Sequence, residues 1–393
     1  MGITVLKGLQ GTGYTLGGMI KEGGEGAVYR VSNRSDILIK LYKPELLQQK
    51  PHLQQKLKYM VSRPIRTHLN NAIAWPLDAL YNKGAFAGFA MPRLSFDNKL
   101  DAAYDYDPKR MTAAKSRVNL ASNLCRLVIE LHRKSLIIGD FNHENVGYQE
   151  QNGHVCMMDV DSFHMVNSGF DYRCGVCMPG YLAPEIIKHC RLDSRHTLDR
   201  TALPTFTQNS DNFALAVHIF RMLMNGISPF NGVKTKVTGS TEAALTGNGA
   251  IERNQYCFRP DLKSKNVLCP PKIILPHEII ALFDRAFIEG RDYPFRRPTA
   301  REWLDALQRY ANALVPCSKQ GKIHQYDRHL SKCPWCEADA RQKARSSRFF
   351  VPAYTVTRTD TASRQVHSKA NHQAPQTKIA YLQDLLRQKA LTT

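Results

Sequence analysis

Two apolar segments, each ending in acidic side chains, constrain this chain more than any other feature. The first, Leu131-His-Arg-Lys-Ser-Leu-Ile-Ile-Gly-Asp140-Phe-Asn-His-Glu-Asn145, runs from an apolar strand into a polar loop, with Asn145 five residues after Asp140. The second, Val155-Cys-Met-Met-Asp159-Val-Asp161-Ser-Phe163, places Asp159 fourteen residues beyond Asn145. Carboxylates and an amide at strand ends can converge on Mg²⁺, a hard cation that keeps waters and bridges substrate phosphates. Each aspartate taken singly can also serve as a turn or cap residue.

Upstream lies a Gly-rich stretch, Lys21-Glu-Gly-Gly-Glu-Gly-Ala-Val-Tyr29. Gly23, Gly24 and Gly26 let backbone amides approach phosphate oxygens, and Val28 is placed to roof an adenine ring. A plain hairpin turn explains the same glycines. Then Ile37-Leu-Ile-Lys40 ends an apolar strand in a lysine. A lysine on a buried strand needs a partner for its charge, and phosphates are suitable. The alternative is an edge lysine that reaches solvent.

The texture of the chain changes along its 393 residues. The first ~95 read as strands (Ala27–Val31, Ile37–Tyr42, Phe86–Met91) with one helix over Lys50–Met60, which Pro64 bounds. Val118, Ala121, Leu124, Cys125, Val128 and Leu131 then recur at helical spacing, and further helices are expected near 209–226, 277–288 and 299–314. Residues 231–272 read as an irregular insertion, and the chain beyond 340 as a polar, basic linker with a short helix over Lys378–Lys389. No apolar run reaches the ~20 residues a membrane span needs. The first residues show no apolar segment with a small-residue cleavage site, so export is not expected, and ten Cys in such a chain favour a reducing cytoplasm with metal-bound or buried thiols. The net charge of +20 is concentrated at the end: Pro316–Thr393 carries 14 Lys+Arg against 5 Asp+Glu, or +9 in 78 residues. That balance suits nucleic acid, acidic proteins or anionic surfaces, or simply a solvated exterior.

In order and spacing these motifs resemble the protein kinase family from about residue 16 to 310. Gly23-Gly24-Glu25-Gly26-Ala27-Val28 is similar to the family's loop over the ATP phosphates, and Lys40 to its phosphate-holding lysine. Asp140 and Asn145 match the catalytic base and the metal-binding asparagine, and Asp159-Val-Asp161 stands where the D-F-G metal motif belongs. Pro179-Gly-Tyr-Leu-Ala-Pro-Glu185 resembles the end of the activation loop. Ser210-Asp211 begins a stretch like the large central helix, and Arg297 resembles the late arginine that pairs with Glu185. The resemblance implies an α+β bilobal kinase-like fold: a β-rich N-lobe (1–94), a helical C-lobe (95–315), a zinc module (316–340) and a basic tail (341–393). It implies ATP between the lobes near Val28, Met91 and Leu94, with Lys40 and Asp140 catalytic and Asn145, Asp159 and Asp161 holding Mg²⁺.

The departures are specific. Lys21 replaces the first loop glycine, Ile138-Gly139 the usual His-Arg, Asn142 a lysine, and Asp161 the glycine of D-F-G. No glutamate occurs between Glu45 and Glu130, so the helix glutamate that normally pairs with Lys40 is missing; Glu45, Gln54 and Gln55 are the candidate substitutes. With Gly139 in place of arginine the usual receptor for a loop phosphate is absent, so control through partners, zinc or the tail is expected, with Arg173 reading a phosphate on Ser168 as the alternative.

Beyond the kinase-like part, Cys317, His324, Cys333 and Cys336 form C-x₆-H-x₈-C-P-W-C, a ligand set for tetrahedral Zn²⁺. The second Cys-x-x-Cys, Cys174 and Cys177, has no nearby partners in sequence. Trp335 reads as packing or as a contact surface, and the zinc module is expected to have a core separate from the lobes. Ile73-Ala-Trp-Pro-Leu-Asp-Ala-Leu, Gly88-Phe-Ala-Met91-Pro92 and Asp-Val-Asp-Ser-Phe163 narrow the resemblance to bacterial stress-response kinases of a tellurite-resistance triad. Its other members are a von Willebrand A-type protein and a PP2C-type phosphatase. The expectation is therefore a cytoplasmic, ATP-dependent protein kinase acting on a protein hydroxyl, Ser/Thr rather than Tyr. The alternatives are a pseudokinase scaffold, or a nucleic-acid-binding protein acting through its zinc module and tail.

Overall fold

The structure, a computed structural model, describes residues 4–65, 71–104, 114–167, 170–192, 204–234, 245–266, 269–320, 324–337 and 339–340. It opens with β1 (Val5–Lys7), β2 (Gly13–Glu22), β3 (Gly26–Val31) and β4 (Arg34–Tyr42). After α1 (Pro44–Gln49) and α2 (Leu53–Ser62) come β5 (Asp78–Asn82) and β6 (Ala85–Pro92). The six strands close into a barrel, order β1-β2-β3-β4-β6-β5, sealed where Lys7 pairs with Tyr81. Alternation along β4 decides what faces where: Ile37 and Ile39 enter the barrel core with Leu6, Tyr14, Val31, Leu80 and Ala90, while Lys40 and Tyr42 face the other way.

The single helix expected over Lys50–Met60 is two helices. Pro51 forces Lys50 out of helical geometry (φ −121°, ψ 64°), which ends α1 and restarts the chain at α2. The restart puts Leu53, Lys56, Leu57 and Met60 on the buried side of α2, and the helix stops before Pro64 as anticipated.

The remainder is mainly helical. A small sheet of β7 (Asn98–Lys99), β8 (Val146–Tyr148) and β9 (Val155–Met157) carries the loop with Asp140 and Asn145, and α3 (Ala114–Arg133) packs behind it. All six residues of the helical stripe from Val118 to Leu131 are buried. After β10 (Met165–Asn167) and β11 (Phe170–Tyr172) follow α4 (Pro184–Leu192) and α5 (Gln208–Leu223), the latter started by a reciprocal cap between Thr207 and Ser210. The expected irregular insertion holds β12 (Gly232–Lys234), α6 (Gly247–Glu252) and β13 (Leu262–Ser264). Then α7 (His277–Asp284) runs through a π-turn into α8 (Gly290–Asp292), and α9 (Ala300–Ala313) lies along α3. Arg297, fully buried, donates two hydrogen bonds to Glu185 (2.7 and 2.6 Å), the pairing expected from the sequence.

The zinc-type segment is not packed separately from the helices, contrary to the expected separate core. It follows α9 directly as β14 (Leu314–Pro316) and β15 (Gln325–Asp327), and Trp335 is buried in the main hydrophobic core under the guanidinium of Arg117 from α3. Twenty residues have little apolar surface to bury among themselves, so the segment buries its tryptophan against the helices instead. Among the described residues no helix is long and apolar enough to cross a membrane. Ser168, the tail and the helix expected over Lys378–Lys389 lie outside the described residues.

Candidate functional site

The loop ending in Asp140 is held from below. Asp211 of α5, buried, accepts the Ile138 and Gly139 N–H groups at 2.8 and 3.0 Å and lies 3.0 Å from His132 Nε2. Gly139 has φ +74°, and a Cβ there would meet the Cys174 Cβ at 2.9 Å, so conformation and space both select glycine. Cys174 therefore fills the place that an arginine before Asp140 would need. Burial pushes its thiol up to about 12, so it packs as an inert group rather than a nucleophile.

Asp140 is itself buried, and its carboxylate accepts from Asn142 Nδ2 (2.7 Å) and Asn145 Nδ2 (3.3 Å). Asn142 also accepts the Glu144 N–H (2.9 Å), which starts the short turn that presents Asn145. The lysine-to-asparagine departure thus orients the aspartate. The Met158 N–H donates to the Asn145 carbonyl (2.8 Å), which sets the next residue, Asp159, beside the asparagine. Asp159 is left-handed (φ 57°, ψ 36°), a conformation that costs a non-glycine residue about 1 kcal/mol or more and persists where surrounding contacts dictate it.

Those contacts come from the barrel. Lys40 donates to Asp159 Oδ1 (2.6 Å) and to both oxygens of Asp161 (2.9 and 2.8 Å), and the Tyr42 hydroxyl donates to Asp161 (2.6 Å). Burial alone would lower the Lys40 pKa, but the two carboxylates outweigh it and hold the ammonium charged. Burial and the Asp161 charge push the Tyr42 hydroxyl well above its ordinary range, so it stays a donor. Asp161, expected as a Mg²⁺ ligand, has both oxygens engaged by Lys40 and one also by Tyr42. Of the three candidate substitutes, Gln54 donates to Tyr81 (3.2 Å), while the side-chain bonds Lys40 makes go to Asp159 and Asp161. Asn145 bonds Asp140 (3.3 Å), and Asp159 follows directly on the Met158–Asn145 backbone link, so the chain brings these three oxygen-bearing residues to one stretch of the site.

At the expected nucleotide position Val28 pairs with Lys40 across β3 and β4. A Cβ on Gly26 would sit 2.1 Å from the Leu41 carbonyl, so close strand approach demands that glycine, and Gly23 closes the hairpin by donating to the Gly26 carbonyl (2.8 Å). Gly24 lies in the same turn. Met91 pairs with Leu38 at the end of β6, with half-buried Leu94 in the segment that follows.

The second site is the Cys–His cluster. Ligand atoms of Cys317, His324, Cys333 and Cys336 all lie within 4.8 Å of one another, with Cys317 Sγ to Cys336 Sγ 3.6 Å and Cys336 Sγ to His324 Nδ1 3.5 Å. Zn–S bonds of ~2.3 Å in a tetrahedron put two sulfurs roughly 3.7 Å apart, so the donor set fits Zn²⁺. His324 Nε2 lies 3.3 Å from Asp339, the carboxylate partner that turns the opposite ring nitrogen toward a metal.

An α+β chain with these elements fits a kinase-like fold, and its relatives support a protein kinase family. A protein kinase named YegI from Escherichia coli strain K12 is 30% identical over 342 residues, which is 83% of this chain and 49% of that protein. Its counterpart from Escherichia coli O157:H7 is 30% identical over 337 residues, with the same coverage. G protein-coupled receptor kinase 4 of Mus musculus is 29% identical over 144 residues, 37% of this chain and 22% of that one. The chain spans about half the length of the two YegI proteins. No family model matches it.

Proposed function

We propose that this chain is an ATP-dependent protein kinase that transfers the γ-phosphate to a protein hydroxyl, Ser/Thr rather than Tyr. The observation that carries the reading is the Lys40–Asp159 contact (2.6 Å) between the barrel and the loop that also holds Asn145 and Asp140. ATP would lie between an N-lobe and a C-lobe, its adenine beside Val28 and the Met91–Leu94 segment and its phosphates under Gly23, Gly24 and Gly26. Lys40 would hold the α- and β-phosphates, and Asn145 and Asp159 would hold Mg²⁺, which neutralises charge on the transferring phosphate. Asp140, aimed by Asn142 and Asn145, would orient the acceptor hydroxyl and take its proton.

Titration calorimetry with ATP tests the site: binding is expected to need Mg²⁺ and to weaken at least tenfold in Asp159→Ala. A chain that takes up no nucleotide under any metal condition would exclude the reading. The four-ligand cluster would hold one structural Zn²⁺, with His324 oriented by Asp339. The setting we favour is cytoplasmic and bacterial, in a stress-response system of the tellurite-resistance type, with a von Willebrand A-type protein and a PP2C-type phosphatase as partners. Against the pseudokinase reading stand Asp140, Asn145 and Asp159, which keep the residue types that transfer needs. Nucleic-acid binding would rest on the basic tail.

Regulation follows from Gly139. Two of the activation segment's hydroxyls are engaged: Ser162 donates to the Asp159 carbonyl (2.7 Å), and Tyr181 receives Arg221 (2.6 Å) and bonds His143 (2.8 Å). Arg173, the candidate phosphate reader, donates to Asp171 (2.6 Å). Complete phosphatase treatment and Ser168→Ala are each expected to leave the initial rate within about threefold. A tenfold loss in both, about 1.4 kcal/mol of barrier, would establish a phospho-switch.

A further inference from the structure

Helix α2 faces the site with a charge opposite to the one its kinase role calls for. Lys56 is only 3% exposed, and its Nζ donates to two main-chain carbonyls, those of Asp161 and Phe163, each at 2.6 Å. Its neighbours on the buried face are Leu53, Leu57 and Met60, so folding alone would be served by another apolar residue there. A buried ammonium is costly unless its hydrogens are satisfied and its charge is matched. Here the turn that carries Asp161 takes two of the hydrogens through its carbonyls, while burial outweighs the nearby charges and lowers the Lys56 pKa to about 8, so two fixed acceptors rather than a charge partner hold it.

The two lysines grip that turn from the same side in different ways. Lys40, on β4, takes the carboxylates; Lys56, on α2, takes the carbonyls. Helix α2 is fastened to the barrel region in turn, since Gln54 donates to Tyr81 (3.2 Å) and the Trp75 indole to the Met60 carbonyl (3.0 Å). The left-handed Asp159 begins the turn, so its geometry has to be imposed from outside. Resting on the kinase reading above, we propose that Lys56 is a positioning residue: it clamps the Asp159–Phe163 turn so that Asp161, rather than a helix glutamate, serves as the standing counter-ion of Lys40. The absence of a glutamate from α2 is then no defect. The helix controls the site through a cation, and moving α2 would release the turn as well as Lys40's partner.

The test uses the full chain carrying Lys56→Met, which keeps length and loses the donor, and Lys56→Arg, which restores donors to both carbonyls. With ATP varied at saturating Mg²⁺, Lys56→Met should lower kcat at least tenfold while the KM for ATP stays within threefold, and Lys56→Arg should recover to within fivefold of wild type. Hydrogen exchange of the peptide spanning residues 157–165 should quicken at least tenfold in Lys56→Met and not in Lys56→Arg, with α3 and α5 unchanged. Wild-type kcat in Lys56→Met, unchanged exchange at the turn, or equal losses in the Met and Arg variants would each overturn the proposal. If the wild-type chain transfers no phosphate, the kinase reading fails by itself, and exchange at the turn still decides whether Lys56 is the clamp.

Discussion

Asp140→Asn is expected to lower phosphate transfer by about 10²–10⁴-fold, the contribution typical of a positioned general base. That range corresponds to about 3–5 kcal/mol of barrier. The substitution is nearly isosteric, and the asparagine oxygen can still accept from Asn142, which bonds the native carboxylate at 2.7 Å. It cannot take a proton from the acceptor hydroxyl. Nucleotide affinity should therefore stay within about threefold, because Lys40, Asp159 and Asn145 keep their places. An Asp140→Asn chain that transfers phosphate as fast as wild type would mean that another group is the base.

The second large effect concerns the metal cluster. Cys333→Ser, or exhaustive chelation, should remove zinc and also lower the unfolding temperature of the whole chain, because Trp335 is seated in the main core. Losing a buried aromatic of this kind costs about 3–5 kcal/mol. At roughly 1–2 °C per kcal/mol for a chain this large, the fall should be about 5 °C. Calorimetry with elemental analysis of the same samples checks it. Zinc-free protein that melts at the wild-type temperature would show the cluster to be ornamental to the fold.

The sequence was most informative where chemistry or periodicity is local. The stripe from Val118 to Leu131, the Asp140–Asn145 loop and the four zinc-type ligands could each be read within one short segment, and each has the expected form. Arg297 and Glu185 were matched across 112 residues only because two motifs signalled each other. Lys40's partner was invisible for the opposite reason. Asp161 lies 121 residues away and reads locally as a third metal carboxylate. Lys56 carried no signal of its own in the sequence, since the expected single helix over Lys50–Met60 hides the break at Pro51 after which it faces inward. Barrel closure was missed as well, since β2 carries bulges around Gly17 and Gly18 that spoil its alternation, and β1 has only three residues. Trp335 could be packing or contact surface until α3 supplied Arg117 above its ring.

Transfer of a phosphate from this site onto a protein is tested most directly by supplying the purified chain with γ-labelled ATP, Mg²⁺ and a mixture of candidate protein acceptors, then locating the label by mass spectrometry. Label is expected on serine or threonine hydroxyls, dependent on Mg²⁺ and lost in Asp140→Asn. ATP held tightly with no label reaching any protein, the chain itself included, would contradict such transfer and leave a nucleotide-binding scaffold.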